Sequence, residues 1–356
     1  MTGACTEAWR RLVAGDHQGG AAAFLEVLQR DPTCLEALRA LHFQPWPDAV
    51  LEAQLAGLDQ LVQQQQHQQR LEQRPGLLRR VWADWHYRVG DQPQALAVYQ
   101  QQWRGTALAG VDLGGCPQAL LIGAPKSGTT SLMAWLRAHP QVIPHPSKEL
   151  HFFQARWHWG EHWYRAQFPR PVPGLSLQLL EGTPNYLQDP QVPERVAGLL
   201  PEVKVVAVLR EPLRRAVSWL EHLRRWEGLE QPADLVLREE MELLEAMPEQ
   251  QRLELGWWRT NALAGSLYDA QLRRWRQWIP AHRLLLLRFE DLCLEPRGSL
   301  SRILVFLGAD PGLLPSVNRF PAWNQAPIVY ANPACSLAQR CRSGVLADAL
   351  ELWTSL

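Results

Sequence analysis

At 356 residues with 46% apolar side chains, the chain is long enough for one large α/β domain and a smaller partner, and no uninterrupted apolar run reaches the roughly 18 residues of a membrane span. Lys plus Arg and Asp plus Glu both number 36, so no global field draws the protein to nucleic acid or anionic lipid, and any anion site must be local. The six cysteines form no CxxC pair, which argues against a zinc site or a dense disulfide framework, and only Cys335 and Cys341 lie close enough to be weighed as a pair.

The amino terminus, MTGACTEAWRRLVAGDHQGG, has no apolar core of signal-peptide length, and a soluble, cytoplasmic protein without a membrane partner is expected. Residues 8–107 carry apolar side chains at helical spacing, with turn signals at Gly15-Asp16 and Gly90-Asp91. Residues 9–38 and 82–99 share one theme, a large apolar residue, Gly-Asp, then an Ala-rich helix. The theme resembles the tetratricopeptide helix pair, whose units stack because none buries its apolar face alone. Such a region serves either as a surface for a protein partner or as a helical packing layer. The Gln-rich residues 63–73 fit a solvated helix face or a connecting loop.

Composition turns to Gly, Asp and Pro over 105–117, and a domain boundary is expected there, between helices at 1–110 and a second domain at 117–356. Buried strands are predicted at 119–123, 177–180, 203–209 and 284–289, and helices at 129–138, 190–200, 212–226, 260–279 and 298–307. The alternation predicts an α/β fold, a three-layer parallel sheet flanked by helices, with ligands at the carboxyl ends of its strands. Many of the 17 tryptophans lie in 81–103, 157–163 and 257–278; most are expected to be core anchors, some a stacking floor for a flat-faced acceptor.

The sharpest local feature is Leu120-Leu121-Ile122-Gly123-Ala124-Pro125-Lys126-Ser127-Gly128-Thr129-Thr130-Ser131-Leu132, a strand entering a small-residue turn that opens a helix. Backbone N–H groups there, with the Thr and Ser hydroxyls, make a phosphate site. A Walker loop has its lysine directly after the last glycine; here Thr129 holds that position and the lysine is Lys126, with no evident Mg²⁺ apparatus. Downstream, the strand at 203–209 ends at Arg210, Pro212 opens a helix, and Ser218 follows eight positions after the arginine. Arg210 offers a bidentate fork to a phosphate and Ser218 a hydroxyl.

PKSGTTSL resembles the 5′-phosphosulfate-binding loop of sulfotransferases that use 3′-phosphoadenosine 5′-phosphosulfate (PAPS), and the Arg210–Ser218 element is similar to their 3′-phosphate site. The resemblance implies PAPS as co-substrate, held by Lys126, Ser127, Gly128, Thr129, Thr130, Ser131, Arg210 and Ser218, without a metal. Lys126 is expected to stabilise the bridging oxygen of the leaving adenosine 3′,5′-bisphosphate. Arg214 and Arg215 are expected to be surface or packing residues.

His145-Pro146-Ser147-Lys148-Glu149-Leu150-His151-Phe152-Phe153, the pair Trp163-Tyr164, and Glu181-Gly182-Thr183-Pro184-Asn185-Tyr186 look like the heparan-sulfate and related glycan branch. In that branch the glutamate is the catalytic base, here Glu149. An acceptor hydroxyl attacking sulfur must lose a proton, so a base is required on chemical grounds as well. His151 is the rival, since histidine fills this role in the small-molecule enzymes. The resemblance extends the acceptor side to Lys148, Phe153, Trp163, Thr183 and Tyr186.

Ser266-Leu267-Tyr268 looks like the family's GxY element with serine in place of the usual glycine, and sets Tyr268 near nucleotide or acceptor, or in the packing. Glu290-Asp291-Leu292 and Phe306 to Gly308 resemble family scaffold. After Gly308 the Lys-Gly-Arg-type loop of the Golgi enzymes is absent, and Asn318-Arg319-Phe320 or Trp323-Asn324-Gln325 is expected to form a different lid. The expected activity is sulfuryl transfer to a hydroxyl or amine of a glycan or other hydroxylated acceptor. Its rivals are a nucleotide kinase needing ATP and Mg²⁺, and a helical-repeat adaptor with a degenerate sulfotransferase domain.

Overall fold

The computed structural model describes residues 5–67, 76–253, 261–315 and 335–356. The chain divides into two compact units, residues 1–116 with 157–172, and residues 117–156 with 173–356. The excursion at 157–172, within the stretch expected to be a single α/β domain, is thus built into the helical unit.

The first unit holds α1 (Thr6–Val13), α2 (His17–Arg30), α3 (Leu35–Phe43), α4 (Asp48–His67), α5 (Leu77–Arg88) and α6 (Gln92–Gln101). Helix α1 packs on α2, and α5 on α6. Each pair turns at a left-handed glycine, Gly15 (φ +82) or Gly90 (φ +97), followed by an aspartate at the N-cap; the Asp16 carboxylate accepts from the Gly19 N–H at 2.8 Å. The Gly-Asp theme is therefore the joint of two helix pairs. Phe24, Leu28, Leu51, Leu58 and Val81 fill the core. The later excursion forms a short helix at Gly160–Arg165, whose Trp163 is fully buried. Trp163 Nε1 donates to Tyr99 Oη at 3.1 Å, Tyr99 Oη donates to Asp84 at 2.7 Å, and Asp84 pairs with Arg80 at 3.2 Å.

In the second unit β1 (Ala119–Gly123), β2 (Val142–Pro144), β3 (Gln178–Gly182), β4 (Lys204–Leu209) and β5 (Leu284–Arg288) form one parallel sheet in the order β2-β3-β1-β4-β5. Connections leave β1 toward both sides, so the crevice at its carboxyl end is the topological switch point. Four strands fall on the predicted stretches; β2 was unpredicted because three residues at an edge, ending in proline, carry no period. One sheet face packs on the helices at Thr129–Leu136 (α7) and Pro296–Leu307, with Leu121, Val206, Leu132 and Leu304 between them. A second core joins the helices at Pro212–Glu227 (α8), Ala233–Ala246 (α9) and Cys335–Ser343 (α10), through Leu220, Leu237, Met241 and Leu346. Cys341 carries a free thiol 3.8 Å from the Met241 sulfur; the side chain of Cys335, weighed as its disulfide partner, is not among those described.

The helix predicted over 260–279 begins only at Tyr268 and runs to Trp278 (α11). Two buried ionisable side chains hold the preceding residues in a 3₁₀ turn, Ala264–Ser266, in place of α-helix. Arg215 donates to Ser266 Oγ at 2.6 Å and to the carbonyls of Asn261 and Ala262, while Glu240 accepts from the N–H groups of Ala262 and Ala264 at 2.9 and 2.8 Å. Arg215 is thus the packing residue that was expected, and Arg214 is exposed.

Candidate active site

Gly128 caps α7 in a left-handed conformation (φ +77), and a Cβ there would meet the Phe289 ring at 2.8 Å. Only glycine fits without displacing that ring. The first N–H groups of α7 have no intrahelical acceptor. Ser127, Thr129 and Ser131 are buried, whereas Lys126 and Thr130 are half-exposed at the mouth of the turn. Burial, with the cations Lys148 and Arg210 nearby, pulls the Lys126 ammonium below its ordinary value. An incoming dianion reverses that penalty.

Arg210 follows β4. Its Nη1 donates to the Lys126 carbonyl at 3.2 Å, its guanidinium lies 5.0 Å from the Phe289 ring centre, and its buried Nε has no hydrogen-bond partner among the described residues. Tyr268 Oη donates to the Arg210 carbonyl at 2.9 Å. Tyr268 is fully buried, and burial pushes its phenol up to about 12. Tyr268 thereby fixes the backbone that aims Arg210. Ser218 is half-buried within α8. The cradle, the buried hydroxyls and the orphaned Nε suit a nucleotide with phosphate-like groups at both ends.

The loop after β2 carries Lys148, Glu149, His151 and Phe153, which the sequence resemblance set on the acceptor side. Glu149 and His151 both have positive φ, +66 and +53, and the loop is tied down by the Glu149 N–H to the Gly182 carbonyl at 3.1 Å. Arg156 closes it by donating to the Leu150 carbonyl at 2.6 Å. Lys148 Nζ is 2.7 Å from Thr130 Oγ1 of the phosphate loop and 2.7 Å from Glu149 Oε1, and His151 Nε2 is 3.5 Å from Glu149 Oε2. Burial opposes the charge on Glu149, yet the hydrogen bond from His151 and the Lys148 ammonium outweigh it and hold the carboxyl well below the usual range. Glu149 is therefore ionised at neutral pH.

Phe153, Trp163, Thr183 and Tyr186, read as acceptor contacts, are all fully buried, and a buried ring offers no face to an acceptor. Thr183 Oγ1 and Tyr186 Oη donate to Glu181 Oε1 at 2.7 and 2.9 Å, while the Phe153 N–H reaches Tyr186 Oη at 3.4 Å. They form the floor under the Glu149 loop, and Trp163 belongs to the helical unit. Glu181, which organises that floor, had only its place in the EGTPNY stretch as a signal. The lid residues Asn318-Arg319-Phe320 and Trp323-Asn324-Gln325 lie outside the described residues.

A small-residue turn at the switch point and an ionised glutamate linked to it by a lysine are the parts that a group-transfer site on a three-layer α/β fold would need. Residues 116–317 match the sulfotransferase domain family, and the chain belongs to it. Heparan sulfate glucosamine 3-O-sulfotransferase 6 of mouse is 32% identical over 193 residues, covering 54% of this chain and 52% of that one. The human bifunctional heparan sulfate N-deacetylase/N-sulfotransferase 2 is 32% identical over 203 residues, 55% of this chain and 22% of that one. The chain thus spans about half or less of the length of these relatives. A sulfotransferase from Alicyclobacillus acidocaldarius has the same fold, with a TM-score of 0.53 at 24% identity over 67% of this chain and 96% of that one.

Proposed function

We propose that the protein transfers a sulfuryl group from PAPS to a hydroxyl or amine of a glycan. The observation that carries this reading is the Lys148 ammonium, which joins the donor loop at Thr130 to the carboxylate of Glu149. The heparan sulfate O- and N-sulfotransferases among its relatives support a glycan acceptor, and the PKSGTTSL loop with Arg210 supports PAPS as donor.

In the proposed step the acceptor oxygen or nitrogen attacks sulfur as its proton passes to Glu149. The sulfur–oxygen bond to the 5′-phosphate breaks, and the electron pair leaves on adenosine 3′,5′-bisphosphate. Lys126 and the N–H groups opening α7 meet the charge that grows on the departing oxygen, while Arg210 and Ser218 grip the 3′-phosphate. Lys148 follows the transferring oxygens, and as its charge moves away from Glu149 the carboxylate gains proton affinity when it is needed. The test is transfer of radiolabelled sulfate from PAPS to desulfated heparan-type oligosaccharides. Label in the oligosaccharide, lost in Lys126→Ala, is expected; no transfer to any glycan from a protein that binds PAPS would overturn the acceptor class.

A further inference from the structure

Residues 335–356 lie beyond the stretch that matches the family, yet they reach Glu211 and Glu290, the two carboxylates next to the arginine assigned to the 3′-phosphate. The last helix, Ala347–Thr354, packs on α8, α10 and α11. From it Trp353 Nε1 donates to Glu290 Oε2 at 3.2 Å, with the Arg288 guanidinium 5.6 Å from its ring centre. The other oxygen, Glu290 Oε1, accepts from the Glu211 N–H at 3.1 Å, the peptide unit directly after Arg210. From α10, Arg342 Nε pairs with Glu211 Oε1 at 3.1 Å, while Glu211 Oε2 caps the start of α8 through the Arg214 N–H at 2.6 Å. Arg288 is itself held by Asp291 through two bonds of 3.1 and 2.7 Å. Glu290 thus has one oxygen on the peptide unit next to Arg210 and the other on Trp353, while Glu211 links the start of α8 to Arg342.

We propose that Trp353 and Arg342 are positioning residues for the 3′-phosphate: through Glu290 and Glu211 they set the backbone of Arg210, and with it the preference for a nucleotide bearing a 3′-phosphate. Glu290 also acts through its charge on the Arg210 guanidinium, favouring the charged form. Deprived of Trp353, its free oxygen turns to Arg210 as a competing anion and draws the guanidinium from the ligand. The inference rests on the PAPS reading, because it concerns the residue that reading assigns to the 3′-phosphate.

The test is calorimetric titration of the full-length protein, Trp353→Phe and Arg342→Gln with adenosine 3′,5′-bisphosphate and, in parallel, adenosine 5′-monophosphate. Phenylalanine keeps an aromatic ring in the packing, a smaller one, and removes the N–H donor. The expected result is an affinity about tenfold weaker for the bisphosphate and unchanged for the monophosphate, as for one misaligned charge-assisted pair. Equal losses for both ligands, or none, would overturn the proposal and leave the helices as packing alone. If the unaltered protein fails to prefer the bisphosphate, the donor reading itself falls, and this proposal with it.

Discussion

Lys148, on the loop after β2, and Thr130, in the first turn of α7 and 18 residues earlier, meet at 2.7 Å, and the same ammonium holds Glu149 at 2.7 Å. In the proposed reaction the start of α7 holds the donor and the loop after β2 carries the base, so donor occupancy and the proton affinity of the base would be coupled through one cation.

Removing that cation changes the pH response. Glu149 is held below its ordinary range partly by Lys148, so in Lys148→Met its carboxyl rises and the protonated, inactive form persists to higher pH. The acid limb of the kcat/KM profile is expected to move upward, with a further loss of about tenfold or more at the optimum from the missing electrostatic contact. An acid limb that stays in place would uncouple Lys148 from the base.

Glu149→Gln keeps the size and the contact to Lys148 but cannot take a proton. Turnover is expected to fall by about two orders of magnitude or more while bisphosphate affinity is retained. His151→Ala, which removes one hydrogen bond to Glu149, is expected to cost less. The reverse order in single-turnover measurements would transfer the role of base to His151.

Glu240 gives stability its own pH dependence. Burial raises its carboxyl from 4.5 to about 7, against the backbone N–H bonds that favour the charged form. The folded state therefore holds the proton more tightly than the unfolded state, and stability falls as pH rises from about 4.5 to about 7. Thermal unfolding from pH 5 to 8 is expected to show this decline, and Glu240→Gln to flatten it. An identical slope in both proteins would contradict the assignment.

In the helical unit, Asp84 is 1% exposed and takes Arg80 and Tyr99 together. Asp84→Ala leaves Arg80 buried without its counter-ion and is expected to cost about 3–5 kcal/mol in denaturant unfolding, the range for breaking a buried pair. Tyr99→Phe, which removes the hydroxyl between Asp84 and Trp163, is expected to cost about 1–3 kcal/mol. Losses within experimental error would make this network dispensable to the unit.

The sequence reading succeeded where information was local. The turn after β1 needs contiguous small residues and one glycine that admits φ +77, and the helix after Arg210 is opened by its own proline, so both stretches carry their backbone geometry in a short string. It failed where partners lie far apart. Nothing near Tyr268 announces that Arg215 and Glu240, 53 and 28 residues earlier, hold the turn before it out of α-helix. The floor of Thr183 and Tyr186 looked like an acceptor surface because a motif records residue types and not the side they face. The serine at 266, where glycine is usual, reads as a small departure; in the structure its hydroxyl accepts from Arg215 and donates to the Pro212 carbonyl at 2.8 Å.

The most direct measurement is calorimetric titration of the purified protein with adenosine 3′,5′-bisphosphate beside ATP with Mg²⁺. Saturable binding of the bisphosphate at one site, with no comparable heat from ATP and Mg²⁺, is the predicted result. Preference for ATP with Mg²⁺ would contradict the donor assignment and return the loop around Lys126 to a kinase-type role.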